Sequence, residues 1–359
     1  MTTEVKHRES NIELFRIIMM LLIVAHHYVM NSGLPELMVA DPTNWKSAFL
    51  FLYGVWGKVG INCFVLITGY FMCKSDITVR KFLKLLLEVL FYNIVIYLIF
   101  AICEYEPFTF AGLAKAINPI SSIAKGFTSC FLIYYLLIPF LNVFVQNLSR
   151  EMHRKLILWI FLFFVIWDHL PGMEYQYNYV SWFCILHVLA SYVRFYEKEI
   201  ISYLHNRIGV LALSMVFLAI GSVLFQIYGG AIGIAKGWAG KWVMDCNAIL
   251  AVLVSVSLFL WFKNLNIPQS KIINTIASST FGVLLIHANS DAMRQWLWKD
   301  VCRISEITPP IPAIIPLHAI GCTFAVFATC VIIDQIRICL IEIPTFKIID
   351  KYLLKYGIK

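Results

Sequence analysis

The chain has 359 residues, of which 60% are apolar and only 14% are charged, and its formal net charge is +8. Soluble domains average about 45–50% apolar and about 25% charged residues, so a soluble fold of this length could not cover so much apolar side chain. The composition therefore excludes a soluble protein. It predicts one all-α domain over residues 1–359, a polytopic helix bundle in a lipid bilayer. The positive charge lies in short loops and gives no support to nucleic-acid binding.

Ten apolar runs are candidates for membrane-spanning helices, which need about 20 residues each. They cover residues 11–31, 48–73, 82–103, 128–147, 155–170, 177–195, 208–229, 242–262, 273–290 and 311–341. The segment 107–127 is rich in Pro and Gly, which predicts a loop with one helical turn on the surface. With the N terminus in the cytoplasm, the inner loops carry roughly twice as many Lys and Arg residues as the outer loops, and Arg337 and Lys347 are counted among these inner charges. The positive-inside rule therefore predicts that both termini are cytoplasmic.

The first apolar run carries charged and titratable residues that a cleavable signal peptide would not tolerate, so we expect it to be a permanent helix. Glu13 and Arg16 are three residues apart, which puts them within pairing distance on a helix. Arg16 and His27 are eleven residues apart, which is three turns plus roughly 20°, so both lie on one face about 16 Å apart along the axis. His26 points about 100° away. Charges inside a membrane helix are costly, so such residues are expected to have a partner or a function.

Further polar residues interrupt later apolar runs. His287 ends one run and is followed by Asn289, and it is either an interfacial residue or a wall of an acceptor pocket. Asp245 and Asn247 are predicted to begin the eighth span, where they either bind sugar hydroxyls or mark the interface. His187 is interpreted as a hydrogen-bonded core residue. Aromatic clusters, among them Trp296 with Trp298 and Tyr175, Tyr177 and Tyr179, are interpreted as membrane-interface belts.

Several short stretches, taken in order, resemble the integral membrane acyltransferase 3 family. Members of that family have Arg, ten residues and then His in the first helix, and Arg16 and His27 match this spacing, with Glu13 as the acidic residue before the Arg. CFVLITGYFM (63–72) is similar to the family's FFVLSGF element, with Thr68 in place of Ser. KFLK (81–84), preceded by Arg80, stands where the family has an Arg-x-x-Arg motif. FLIYYLLIPFLN (131–142) and TFGVLLIHANSDAMRQWLW (280–298) resemble two later elements.

The resemblance implies an O-acyltransferase of the bacterial inner membrane that uses a cytoplasmic acyl-CoA, usually acetyl-CoA. The acceptor would be a surface glycan or a lipid-linked sugar. Arg80, Lys81 and Lys84 would attract the CoA phosphates. Arg16 would hold an anionic part of the donor or fix the site's geometry. His27 would be the base for the sugar hydroxyl or would carry the acyl group itself. No metal is expected, because no metal-type spacing of Cys or His occurs.

Four alternatives stay open at this stage. A transporter or flippase for lipid-linked glycans would share the fold class but would consume no acyl-CoA. A membrane glycan polymerase or glycosyltransferase usually needs acidic residues in a sizeable outer loop, and none is evident. An unrelated type of membrane-bound O-acyltransferase would depend on His187 or His287 instead of His27. A purely structural membrane protein leaves the intramembrane charges unexplained.

Overall fold

A computed structural model of the protein describes residues 9–120, 126–170, 178–204, 207–235, 237–304 and 314–357. The regular secondary structure in these ranges is helical. The α-helices are α1 Ser10–Met30, α2 Leu34–Ala40, α3 Trp45–Gly54, α4 Gly57–Met72, α5 Val79–Ile102, α6 Phe110–Ile117, α7 Phe127–Gln146, α8 Arg150–Ile160, α9 Tyr179–Phe195, α10 Glu197–Leu204, α11 Ile208–Ala231, α12 Ile249–Lys263, α13 Lys271–Ser278, α14 Thr280–His287, α15 Asp291–Gln295, α16 Ile314–Arg337 and α17 Ile343–Lys355. The predicted all-α membrane bundle is thus confirmed.

The described residues include six helices that are long and apolar enough to cross a membrane, or seven if the bent segment containing α13 to α15 is one span. Two shorter apolar helices, α9 and α12, add to them. Each of the ten predicted runs contains a helix, but the number of spans and the side of the termini remain predictions. The surface turn predicted within 107–127 is the two-turn helix α6, which is capped by Thr109.

Three boundaries differ from the sequence prediction. Helix α12 begins at Ile249, seven residues after the predicted start of the eighth span, because the preceding residues form turns. The run predicted at 155–170 is interrupted, since α8 continues into a π-helix over Phe161–Ile166. The last helix continues through a π-helix over Ile338–Glu342 into α17, so it reaches Lys355 instead of residue 341.

Local sequence explains where several helices begin. The side chains of Asn44, Thr78, Ser149, Asn178 and Ser270 accept hydrogen bonds from backbone N–H groups in the first turn of the helices that follow them. Such caps satisfy backbone donors that have no partner within the helix. The backbone N–H groups at the starts of these helices are therefore satisfied by short polar residues that lie between the apolar runs. These polar residues mark the limits of the runs in the sequence.

Helix α4 is central to the core, where it packs against α1, α9 and α12. Glycines allow its close approach to α1: a Cβ on Gly60 would lie 2.7 Å from Ile23 Cγ1, and one on Gly57 would overlap the His26 ring. Asn62 of α4 donates to the carbonyl of Cys246 at 2.7 Å and accepts from Trp182 Nε1 at 2.8 Å. These contacts fix the C-terminal half of α1 in the interior of the bundle.

The segment from Lys271 to Val301 bends by 97° after His287. Gln335 of α16 holds the junction of α13 and α14, because its Nε2 donates to Thr275 O, Ser278 Oγ and Ser279 Oγ at 3.1, 3.0 and 2.7 Å. Helix α14 packs against both α1 and α16. The packing of α14 against α1 places His287, the last residue of α14, beside the C-terminal half of α1, and the bend follows it.

Candidate active site

The first helix has the geometry that its sequence predicts. Glu13, Arg16 and His27 all lie in α1, which is continuous from Ser10 to Met30. Arg16 Nη1 is 3.6 Å from Glu13 Oε1, which confirms the predicted pair. The Glu13 side chain is buried and that of Arg16 is half-buried. His27 lies three turns further along, so a charged pair and an imidazole share one helix.

His27 meets His287 across the contact between α1 and α14. Their ring centroids are 5.0 Å apart with an interplanar angle of 51°. Nδ1 of His27 and Nε2 of His287 are both buried and have no hydrogen-bond partner among the residues that the structure describes. His287 is fully buried, so the interfacial interpretation of this residue is wrong, and it forms an inner wall beside His27.

Trp298 completes this cluster, which we call the histidine site (His27, His287 and Trp298). Its ring centroid is 6.5 Å from that of His287, and its indole Nε1 is also buried without a partner in the described ranges. The side chain is 0% exposed, so the assignment of Trp298 to an interface belt is wrong, whereas Trp296 is 38% exposed. Buried polar atoms in proteins are normally hydrogen-bonded, and three unpaired ones in one place suggest a polar ligand.

Two cations lie near the histidine site and act electrostatically on His27: Lys58 and Arg294. Lys58 Nζ donates to Tyr179 OH at 2.6 Å, and Arg294 Nη2 donates to Asp291 Oδ1 at 2.6 Å. Positive charge near the reacting atoms favours an oxygen that becomes negative in an acyl-transfer transition state. The surroundings of His27 would therefore stabilise an oxygen that becomes negative during acyl transfer.

The two remaining residues predicted to bind the acceptor lie around this site. Asn289 is half-buried just after α14, and its Nδ2 donates to Leu285 O and Asn93 Oδ1. Asp245 is exposed and lies in the turn before α12 instead of within the helix, since that helix starts at Ile249. It acts electrostatically on Tyr179, the partner of Lys58. Asn247 is buried and donates to Phe164 O at 3.0 Å. The predicted tyrosines Tyr175 and Tyr177 lie outside the described residues.

The predicted donor-binding cations are at the start of α5, and each has a local partner. Arg80 binds Asp350 through Nε and Nη2 at 2.7 and 3.2 Å. Lys81 Nζ donates to Asp76 O at 2.8 Å, and Lys84 Nζ is 2.5 Å from Glu342 Oε1.

A cavity of about 210 Å³ lies between α5 and the last helix; we call it the basic groove. It is lined by Arg80, Lys84, Glu342, Ile343, Phe346, Lys347 and Asp350. Arg80 also stacks on the Phe346 ring at 5.0 Å. Lys81 does not line the groove. Lys347 is exposed there and was not singled out from the sequence, where it counted only toward orientation.

A second feature missed from the sequence is a buried ion network, formed by Glu88, Asp334 and Arg337 in the interior and extended by Glu342 to the exposed Lys84. Arg337 donates to Asp334 Oδ1 at 2.8 Å, to Glu88 Oε1 at 3.1 Å and to Glu342 Oε2 at 2.9 Å. Tyr92 OH donates to Asp334 Oδ1 at 2.8 Å. Arg337 was read as a loop charge, but it is 6% exposed. The spacing of Asp334 and Arg337 on one helix face was the available signal.

His187 behaves as a core residue, as its sequence context predicts. It is fully buried, Nδ1 is 2.9 Å from Tyr134 OH, and Nε2 is 3.0 Å from Asn142 Oδ1. Both ring nitrogens of His187 therefore have partners, whereas His27 Nδ1 and His287 Nε2 have none among the described residues.

Comparison with known proteins agrees with this description. A sequence model of the acyltransferase domain of the acyltransferase 3 family matches residues 9–334, which includes α1, the start of α5, and the histidine site. Searches of curated proteins and of solved structures found no match. Asp350 and Glu342, the partners of Arg80 and Lys84, lie beyond the matched residues. The match covers nearly the whole chain, and the protein is therefore a multi-pass membrane acyltransferase that belongs to the acyltransferase 3 family.

Proposed function

We propose that the protein transfers an acetyl group from acetyl-CoA to a sugar hydroxyl of a surface polysaccharide or its lipid-linked precursor, in the inner membrane of a bacterial cell. The observation that carries the proposal is the histidine site, where an imidazole in the first helix lies among buried polar atoms that have no partner in the part of the chain that the structure describes. A sugar hydroxyl can both donate and accept hydrogen bonds, so it suits a site that contains nitrogen donors and acceptors.

His27 is the base in this proposal. Its imidazole removes the hydroxyl proton while the sugar oxygen forms a bond to the thioester carbonyl carbon. The carbon–sulfur bond then breaks, and the proton leaves with the CoA thiolate as a thiol. The nearby charges of Lys58 and Arg294 favour the negative oxygen of the tetrahedral intermediate. Burial of the site limits hydrolysis of the thioester by water.

The donor would enter at the basic groove. Arg80, Lys84 and Lys347 line it, and guanidinium and ammonium groups are the usual partners of phosphate oxygens. Asp350 and Glu342 neutralise two of these cations in the absence of a ligand, so the phosphates would compete with carboxylates for them. Arg16, three turns from His27 on α1, would hold an anionic part of the donor or fix the geometry of the site.

The proposal is tested with membranes from cells that lack the gene and express the wild type or His27→Ala. The membranes supply the glycan acceptor, and [1-¹⁴C]acetyl-CoA is the donor. We expect alkali-labile label in the glycan fraction with the wild type and background label with His27→Ala. His153→Ala removes another buried histidine and should retain the label. Background label in the glycan fraction with the wild type and with both variants would overturn the proposal and favour a glycan transporter. If the glycan is labelled from [¹⁴C]succinyl-CoA and not from acetyl-CoA, the transferred group is succinyl instead of acetyl.

A further inference from the structure

The protonation of His287 is fixed by its backbone contact. Its Nδ1 lies 2.6 Å from the carbonyl oxygen of Val283, one turn earlier in α14. A carbonyl oxygen can only accept a hydrogen bond, so Nδ1 must carry the proton. In the neutral imidazole the other nitrogen, Nε2, then carries a lone pair. His287 therefore presents a hydrogen-bond acceptor of known position to the interior of the bundle.

Within the described part of the chain this acceptor has no partner, although potential donors lie near it. Nε2 is buried, and the rings of His27 and Trp298 lie against that of His287 at 5.0 and 6.5 Å between centroids. His27 Nδ1 is also buried and has no partner among the same residues. With a proton on Nδ1, His27 would offer a donor to the lone pair of His287. With the proton on Nε2 instead, Nδ1 of His27 would be a second buried lone pair without a donor.

We propose that His287 is a positioning residue, whose Nε2 accepts a hydrogen bond from Nδ1–H of His27 and so keeps Nε2 of His27 unprotonated as the base. This inference rests on the proposed acyl transfer. In many enzymes a third group orients the base in this way, and the bond often closes only when substrate binds. Here the orienting group is a neutral imidazole, and the charged groups that act on His27 are the cations Lys58 and Arg294.

The role has a defined place in the reaction. The hydroxyl proton moves to Nε2 of His27, the carbon–oxygen bond forms, and the carbon–sulfur bond breaks. During this step the positive ring of His27 donates through Nδ1–H to His287. His287 touches neither the donor nor the leaving group in this scheme, so its loss should lower kcat and leave the KM for acetyl-CoA unchanged.

Two substitutions separate an acceptor from a structural residue. His287→Leu removes the acceptor, whereas His287→Gln keeps a carbonyl oxygen that can accept from His27. In the membrane assay with [1-¹⁴C]acetyl-CoA we expect His287→Leu to lower kcat about 100-fold, which is less than the roughly 10⁴-fold loss when a charged carboxylate orients the histidine, because His287 is neutral. The kcat of His287→Gln should lie within about tenfold of the wild type, because an acceptor is kept. The KM for acetyl-CoA should stay within about twofold in both variants.

A double variant gives the decisive readout. If His287 acts through His27, His27→Ala with His287→Leu should be no less active than His27→Ala alone. Membrane levels and thermal unfolding of the purified variants check folding. Full kcat in His287→Leu, equal loss in the Gln and Leu variants, or additive losses in the double variant would overturn the positioning role while the proposed function stands. An inactive wild type would instead overturn the proposed function, and this role with it.

Discussion

The histidine site and the buried ion network both place polar groups in the interior of the bundle, but they satisfy those groups differently. In the ion network, Arg337 forms hydrogen bonds to three carboxylates, and one of them, Glu342, also pairs with Lys84; Asp334 Oδ2 is left without a partner among the described residues. In the histidine site, each of the three residues has a buried nitrogen with no partner in the described ranges: His27 Nδ1, His287 Nε2 and Trp298 Nε1. The first region joins α5 to the last helix. The second leaves hydrogen-bonding capacity for a ligand, which is typical of a functional site.

The largest expected effect is on turnover at the histidine site. His27→Leu removes an unpaired polar ring and replaces it with an apolar side chain, so the free energy of unfolding should change by less than about 1 kcal/mol. Acyl transfer should nevertheless fall by about 10²–10⁴-fold, the usual contribution of a general base. Parallel measurements of kcat and thermal unfolding check this. A variant that loses stability in proportion to activity would contradict the difference between the two regions.

The reverse pattern is expected in the ion network. Arg337→Met leaves Glu88, Asp334 and Glu342 without their common partner, and breaking a buried ion pair costs about 3–5 kcal/mol of unfolding free energy. Thermal unfolding of the purified protein in detergent should show a clear decrease in Tm. The exposed pair of Arg150 with Glu199 offers a matched control, since Arg150→Met should cost less than about 1 kcal/mol. Equal Tm values for both variants would contradict the structural role of Arg337.

A smaller effect is expected at the basic groove. Arg80→Ala should raise the KM for acetyl-CoA about tenfold, because it removes a cation that binds phosphate, and should leave kcat unchanged. Lys155→Ala is the control, because Lys155 is an exposed cation paired with Glu151 outside the groove. An unchanged KM in Arg80→Ala would place the donor phosphates elsewhere.

The smallest effect should come from the partner of Arg80. Asp350→Asn weakens the bidentate contact that Arg80 makes in the absence of a ligand. The guanidinium then becomes more available to phosphate, so the KM for acetyl-CoA should fall about two- to threefold. The same kinetic assay measures it. A higher KM would mean that Asp350 helps to form the groove instead of competing for it.

The sequence predicts what depends on local spacing. Three predictions follow from the pattern within one helix or span. They are the extent of α1, the Glu13–Arg16 pair and the hydrogen-bonded core position of His187. The contact between His27 and His287 joins residues 260 positions apart, and it depends on the packing of α14 against α1. Arg337 and Trp298 were misread because a charge or a tryptophan near the end of an apolar run is also typical of a membrane interface. Their burial depends on packing that no local pattern encodes.

Acylation of a glycan at the histidine site is tested most directly in intact cells. Proton NMR of the surface glycan, before and after mild alkali, would be compared in cells without the gene and in cells that express the wild type or His27→Leu at equal membrane levels. We expect an alkali-labile acetyl signal with the wild type and none with the variant. An acyl signal that is the same in all three strains, with glycan length or export reduced in the deletion, would contradict it.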